Sequence, residues 1–185
     1  DDKAARAVKG VKDIIKVEMP VFAYTRHGVA VVADSYWTAL KARKLLKIEW
    51  DNSNIEPVST QSLYDRMRKD LEKPGNTQVA QGDAERIFGK TEKKIEAVYE
   101  TPYESHSAME PLNCTAHFQG DKIEVWGPIQ GPDWIQSDLA ARYKIPVDNI
   151  TVNMTFLGGG FGRKAFTDYT AEAVALSKAM NAPVQ

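Results

Sequence analysis

Apolar and polar positions along this chain follow two rhythms: a period near two, which marks strands, and an i, i+4 spacing, which marks helices. Gly10 to Val17 (GVKDIIKV) is strand-like, with β-branched residues after a glycine. Gly28 to Asp34 (GVAVVAD) is a compact apolar run of strand length. Ser35 is placed to cap a helix over Tyr36 to Leu46, whose apolar stripe is Tyr36, Ala39, Leu40 and Leu46. Lys47-Ile48-Glu49-Trp50 alternates like a half-buried strand. Residues 1–55 therefore predict a small strand–helix–strand unit, a βαβ-type layer with short connections.

Residues 51–94 break that rhythm. Asp51-Asn52-Ser53-Asn54 is turn chemistry. Ser59 or Thr60 is placed to cap a charged helix, Gln61 to Glu72, that ends near Pro74-Gly75. Asp83 is placed to cap a short helix through Phe88, ended by Gly89. Large apolar residues are few. Residues 56–94 are expected to form a linker or surface excursion between two domains, the alternative being a charged lid.

From Lys94 a packed α+β pattern returns. Ile95 to Glu100 (IEAVYE), Leu112 to Phe118 and Lys122 to Trp126 predict strands, the last two joined by a hairpin turn at Gln119-Gly120-Asp121. Asp133 is placed to cap a helix to Tyr143, with Ile135, Leu139 and Tyr143 at i, i+4 and i+8. Asn149 to Phe156 predicts a strand. After a glycine cluster, a helix is expected from Thr167 or Asp168 to Met180. The expected fold class is α+β, with residues 1–55 as a small first domain and 95–185 as part of a second.

Composition narrows the function. The 185 residues carry 24 basic and 25 acidic side chains, for a formal charge of −1. The basic residues are spread out and not interleaved with aromatics, so no nucleic-acid footprint is present. No apolar run approaches the roughly 20 residues needed to span a bilayer. The single cysteine, Cys114, excludes an internal disulfide framework and a cysteine-rich zinc or iron–sulfur site. Inside a presumed strand, it is expected to be a buried, inert thiol. The chain starts at Asp1-Asp2-Lys3 without Met and stops at Ala182-Pro183-Val184-Gln185, where a new strand could begin. Both ends read as cut from a longer protein, and the cut is expected to favour self-association by exposing sheet edges.

Three segments carry candidate chemistry. The first is Leu157-Gly158-Gly159-Gly160-Phe161-Gly162-Arg163-Lys164, between a strand and a helix. Glycines there let the backbone take positive φ and approach a ligand, and successive amides suit an anion or a bound oxygen. Arg163 and Lys164 add positive charge. Both phosphate-loop patterns, G-x-x-x-x-G-K and G-x-G-x-x-G, break at Arg163. The second segment is Glu104-Ser105-His106-Ser107-Ala108-Met109-Glu110-Pro111-Leu112-Asn113, where His106 and Glu110 are possible site-proximal groups; a polar loop before a strand explains it equally. The third is Val125-Trp126-Gly127-Pro128-Ile129-Gln130-Gly131-Pro132, an irregular turn presenting one Gln whose amide can donate to an oxo or carbonyl oxygen. Alone, it is a βα turn. No third metal ligand accompanies His106 and Glu110, and no protein-ligated metal is expected.

Taken in order, these three segments resemble the molybdenum hydroxylases, in the large subunit of the xanthine dehydrogenase and aldehyde oxidase family. The matching strings are His106 to Asn113 (HSAMEPLN), Glu124 to Gln130 (EVWGPIQ) and Gly158 to Arg163 (GGGFGR). The Met-Glu-Pro turn and the Arg after the glycine loop look most like the isoquinoline 1-oxidoreductase β-subunit branch. Gly10-Val11, Val31 to Asp34 and Ile48 to Asp51 are similar to that family's a/b hammerhead domain, followed by part of a molybdopterin-binding α+β domain.

The resemblance implies a bacterial oxidoreductase with a molybdenum ion held by a pterin, commonly as the cytosine dinucleotide, rather than by side chains. It implies hydroxylation of an aldehyde or N-heteroaromatic substrate with oxygen from water, and electron transfer to a separate 2Fe-2S subunit. Gln130 matches the Gln whose amide contacts the metal's apical oxo group. Gly158, Gly159, Gly160, Phe161, Gly162 and Arg163 match the loop beside the cofactor. Xanthine-oxidising members commonly carry Gly-Lys-Glu after the Phe-Gly pair, where this chain has Arg163, Lys164 and Ala165, so purine recognition of that kind is not expected. The family's general-base Glu falls past Gln185, so these 185 residues alone are expected to be inactive. The alternative is a non-catalytic binding module that keeps the scaffold. The compartment, bacterial cytoplasm or periplasm, stays open.

Overall fold

A computed structural model describes residues 1–21 and 24–185. The chain divides into two compact units, residues 1–48 with 104–185, and residues 49–103.

The first unit opens with a short helix α1 (Lys3–Arg6) and two long strands, β1 (Val11–Val21) and β2 (Tyr24–Ala33), which pair antiparallel. Helix α2 (Tyr36–Arg43) follows, capped as expected by Ser35, whose hydroxyl accepts the Thr38 N–H at 3.2 Å. The expected βαβ layer does not form. The first two strands pair directly with each other, and Lys47 to Trp50 is not a strand. That segment alternates, but among the described residues it joins no ladder; the Lys47 N–H goes to the Asp1 carbonyl instead.

Strands β3 (Thr115–Gln119) and β4 (Lys122–Gly127) form the expected hairpin, with Gly120 at φ +66° in its turn. Alternate residues of β4, Ile123, Val125 and Gly127, are buried, the period-two pattern of a half-buried strand. Helix α5 (Pro132–Tyr143) crosses over to β5 (Ile150–Met154), which joins β4 in parallel. Its buried stripe is Ile135 and Leu139, as the spacing predicts. Its N-cap is Gly131 with Pro132 at the first helical position, so Asp133 lies inside the helix rather than capping it. Helix α6 (Asp168–Met180) packs on β3 and β1. Val184 makes an antiparallel bridge to Ala116, at the edge of β3.

The core lies where these elements meet. It contains Met19, Cys114, Ala116, Ile123, Val125, Ile129, Ile135, Leu139, Ile150, Tyr169 and Val174. Ser177 is fully buried; it donates to the Ala182 carbonyl and accepts the Phe118 N–H.

The second unit holds α3 (Thr60–Leu71) and α4 (Ala84–Lys90). Ser59 and Ser62 make a reciprocal capping box, and the Asp83 carboxylate accepts the Arg86 N–H. Neither helix has a buried residue. The expected strand at 95–100 is absent: Ile95, Val98 and Tyr99 are exposed, and no strand lies beside them to pair with. Tyr64 stacks on Tyr103, and Arg68 pairs with Glu100. Among the described residues no helix is long and apolar enough to cross a membrane.

Candidate functional site

The glycine loop leaves β5 and reaches α6 through positive-φ positions: Gly159 at +92°, Phe161 at +50° and Gly162 at +90°. Only glycine takes the outer two without strain, and the tight path brings the backbone against two other segments. At Gly160 a Cβ would lie 2.4 Å from Gln130 Oε1; at Gly158 it would lie 2.6 Å from Glu110 Cβ. Side chains at these positions would push Gln130 and Glu110 aside.

Gln130 sits in the turn between β4 and α5. Its backbone N–H donates to the Lys164 carbonyl at 3.1 Å. Its side-chain Oε1 accepts the Gly162 N–H at 3.1 Å. A backbone N–H can only donate, so the amide orientation is set: oxygen toward the loop, NH2 left to donate elsewhere. The Gln130 side chain is exposed. Among the described residues the N–H groups of Gly159, Gly160 and Phe161 have no protein acceptor. The turn and the loop thus present the Gln130 NH2 and three backbone N–H groups as donors.

Glu110 is tied to the other flank of the loop. Its Oε2 accepts the Gly158 N–H at 2.8 Å and the Lys164 Nζ at 2.6 Å, and its backbone N–H donates to the Gly158 carbonyl. The Lys164 ammonium, and then the Gly158 N–H, hold the Glu110 carboxyl below the usual carboxylate range. Lys164 is 1% exposed, a buried lysine with a single carboxylate partner.

Arg163 turns to α6. Its guanidinium grips Asp168 with two bonds of 2.8 Å, and Arg26 of β2 donates to the same carboxylate at 2.9 Å and to Glu172. Burial pushes the Asp168 carboxyl up, but Arg163 and then Arg26 outweigh it and leave it below its ordinary value. The positive charge expected from Arg163 and Lys164 is therefore matched by Asp168 and Glu110. Sequence reasoning missed the Lys164–Glu110 and Arg26–Asp168 pairs, which 54 and 142 residues separate, and also the Arg163–Asp168 pair, which is only five residues apart.

A cleft of about 260 Å³ opens beside the loop, lined by Ser105, His106, Ser107, Glu110, Gly160, Arg163 and Lys164 among others. Gly160 both lines the cleft and abuts Gln130. His106 is exposed and has no hydrogen-bond or ion-pair partner among the described residues. Met109 (95% exposed) and Phe161 (72%) stand out into solvent. The site thus brings together Gln130, Glu110 and the Gly158–Arg163 loop, with His106 at the cleft. No group of three His, Cys, Asp or Glu among the described residues can hold a metal ion. Cys114 lies in the core with its thiol pushed up to about 12 by burial.

Comparisons with known proteins identify the family. The family model of the molybdopterin cofactor-binding domain matches residues 68–185. The aldehyde oxidoreductase molybdenum-binding subunit PaoC of Escherichia coli strain K12 is 34% identical over 157 residues, 84% of this chain and 21% of that protein. The isoquinoline 1-oxidoreductase subunit beta of Brevundimonas diminuta is 27% identical over 201 residues, 100% of this chain and 24% of that protein. Quinoline 2-oxidoreductase from Pseudomonas putida 86 shares the fold, with a TM-score of 0.65 at 23% identity, covering 100% of this chain and 28% of that one. The chain spans between 21% and 24% of the length of these two curated relatives.

Proposed function

Given that the chain belongs to the molybdopterin cofactor-binding domain family, we propose that it forms one wall of the cofactor site in a molybdenum-dependent oxidoreductase. The reaction is hydroxylation of an aldehyde or N-heteroaromatic, and electrons leave to a separate 2Fe-2S subunit. The observation that carries this reading is the Gly162 N–H on Gln130 Oε1, with Gly160 packed against the same amide.

The donor set fits such a group. The Gln130 NH2 and the backbone N–H groups of Gly159, Gly160 and Phe161 all donate, and they suit an oxygen-rich, electron-rich ligand. The Gly160 position has no room for a Cβ beside Gln130, so loop and amide stay close enough to serve one ligand. A molybdenum pterin bound there supplies two-electron redox chemistry at the substrate carbon, with oxygen from water.

This chain's residues bind and orient. Gln130 donates through its NH2, and the loop Gly158–Gly162 donates through its backbone. Arg163 contributes at the loop's end, while Asp168 neutralises its guanidinium. Glu110 is too weak a base to serve as general base, since the Lys164 ammonium and then the Gly158 N–H hold its carboxyl below the usual carboxylate range and lower its proton affinity. His106 lines the cleft, where substrate approaches. Ala165, in the position where xanthine-oxidising relatives carry Glu, offers no carboxylate to a purine, which favours aldehydes and simple N-heteroaromatics. The similarity to the isoquinoline enzyme's beta subunit supports the cytosine dinucleotide form of the pterin and a partner subunit for electron transfer.

The test uses the full-length protein co-expressed with its neighbouring iron–sulfur subunit. Acid treatment should release cytosine nucleotide, and turnover should appear within a panel of aldehydes and N-heteroaromatics. No nucleotide and no turnover, from a host that loads a control hydroxylase, would overturn the reading.

A further inference from the structure

Among the described residues Lys164 is the one buried lysine, and its charge and backbone both reach site segments. Its Nζ pairs with Glu110 at 2.6 Å, and the same Glu110 oxygen accepts the Gly158 N–H at 2.8 Å. Its carbonyl accepts the Gln130 N–H at 3.1 Å and the Tyr169 hydroxyl at 3.4 Å. One residue therefore touches the 104–113 loop, the Gln130 turn and the head of α6, and through Glu110 it reaches the start of the glycine loop.

A buried ammonium keeps its charge only if paired, and here it has one partner. The Glu110 side chain is 31% exposed, so without Lys164 its carboxylate is drawn to water. The Gly158 N–H would then lose its acceptor. We propose that Lys164 is a positioning residue whose ion pair with Glu110 and carbonyl contact with Gln130 hold the glycine loop and the Gln130 amide in register before any cofactor arrives. The role assigned to the loop rests on the function proposed above; the ordering itself does not.

Hydrogen exchange of the Gly158 and Gly162 amides, the two that Glu110 and Gln130 accept, reads this directly in the full-length protein, with or without cofactor. In Lys164→Met, exchange at these two amides should rise about tenfold or more, as expected for loss of a charge-assisted bond. Glu110→Ala, altered at a partly exposed site, should raise it similarly and serves if Lys164→Met does not fold. The double variant Lys164→Met/Glu110→Gln restores a neutral acceptor for Gly158 without leaving a buried charge. It should return loop exchange to within about threefold of wild type. Unchanged exchange in Glu110→Ala, or no recovery in the double variant, overturns the proposal. Molybdenum content measured on the same samples separates the two ideas. Metal-loaded wild type with an unmoved loop in the variants sinks only the positioning role. Metal-free wild type with a loosened loop in the variants sinks only the functional reading.

Discussion

Gly162 donates its backbone N–H to Gln130 Oε1 at 3.1 Å, across 32 residues of chain, and this bond decides which end of the Gln130 amide faces outward. The oxygen is used by the loop. The NH2 is what remains for a ligand.

Gln130→Ala in the full-length enzyme removes that donor. One preorganised donor of this kind is worth about 10²–10³ in kcat; the loop amides remain, so a fall of about tenfold to a hundredfold is expected. Gln130→Glu keeps an acceptor for Gly162 and replaces the donor with an anionic oxygen. It should be at least as slow. Steady-state turnover of both variants checks the assignment, and wild-type rates in either would place the ligand elsewhere.

Two glycines of the loop should respond differently. A Cβ at Gly160 meets Gln130 Oε1 at 2.4 Å, whereas at Gly162 nothing lies within 4 Å and the cost is φ +90° alone. Gly162→Ala is expected to lower stability by about 1–2 kcal/mol. Gly160→Ala should instead resemble Gln130→Ala in turnover, because it displaces that amide. Denaturant melts paired with kinetics distinguish the two.

Asp168 sets a pH limit. Its carboxyl is depressed in the folded state by Arg163 and Arg26 against the opposing effect of burial. The sign follows: its stabilisation is complete above the ordinary value of 3.8 and is lost as pH falls through the lower folded value. Asp168 is 5% exposed, and removing its charge leaves the Arg163 guanidinium without its carboxylate and Arg26 with Glu172 alone. Asp168→Asn should cost about 3 kcal/mol at pH 7, and the gap to wild type should close below pH 4. Urea titrations between pH 7 and pH 3 measure both quantities.

Cys114 should be silent. Its thiol is buried and pushed up to about 12, so almost no thiolate exists at pH 8. Iodoacetamide should label the native protein more than about a hundredfold more slowly than the denatured chain. Rapid native labelling would mean that β3 opens readily.

What the sequence made legible was local. The Ser35, Ser59 and Asp83 caps, the β3–β4 hairpin at Gly120 and the Ile135–Leu139 stripe each rest on residues a few positions apart, and each appears in the fold. Alternation alone misled at Lys47–Trp50 and at Ile95–Glu100. A strand also needs a partner to pair with, and among the described residues neither segment joins a ladder. The direct pairing of β1 with β2 escaped notice because Met19 to Arg26 contains no Asn-Gly or Asp-Gly pair. In the site, Gln130, Glu110 and the glycine loop announce themselves as motifs. The Lys164–Glu110 and Arg26–Asp168 links do not, since a side chain's partner across 54 or 142 residues leaves no trace in spacing.

The central claim is that the Gly158–Gly162 loop and Gln130 together hold a molybdenum-bearing cofactor. The most direct measurement is metal stoichiometry of the full-length protein by elemental analysis, wild type beside Gly160→Val. The account predicts about one molybdenum per chain in wild type and a marked loss in the variant, whose side chain would occupy the place of the Gln130 amide. Wild type without molybdenum from a host that loads a control hydroxylase, or equal metal in a folded Gly160→Val, would contradict it.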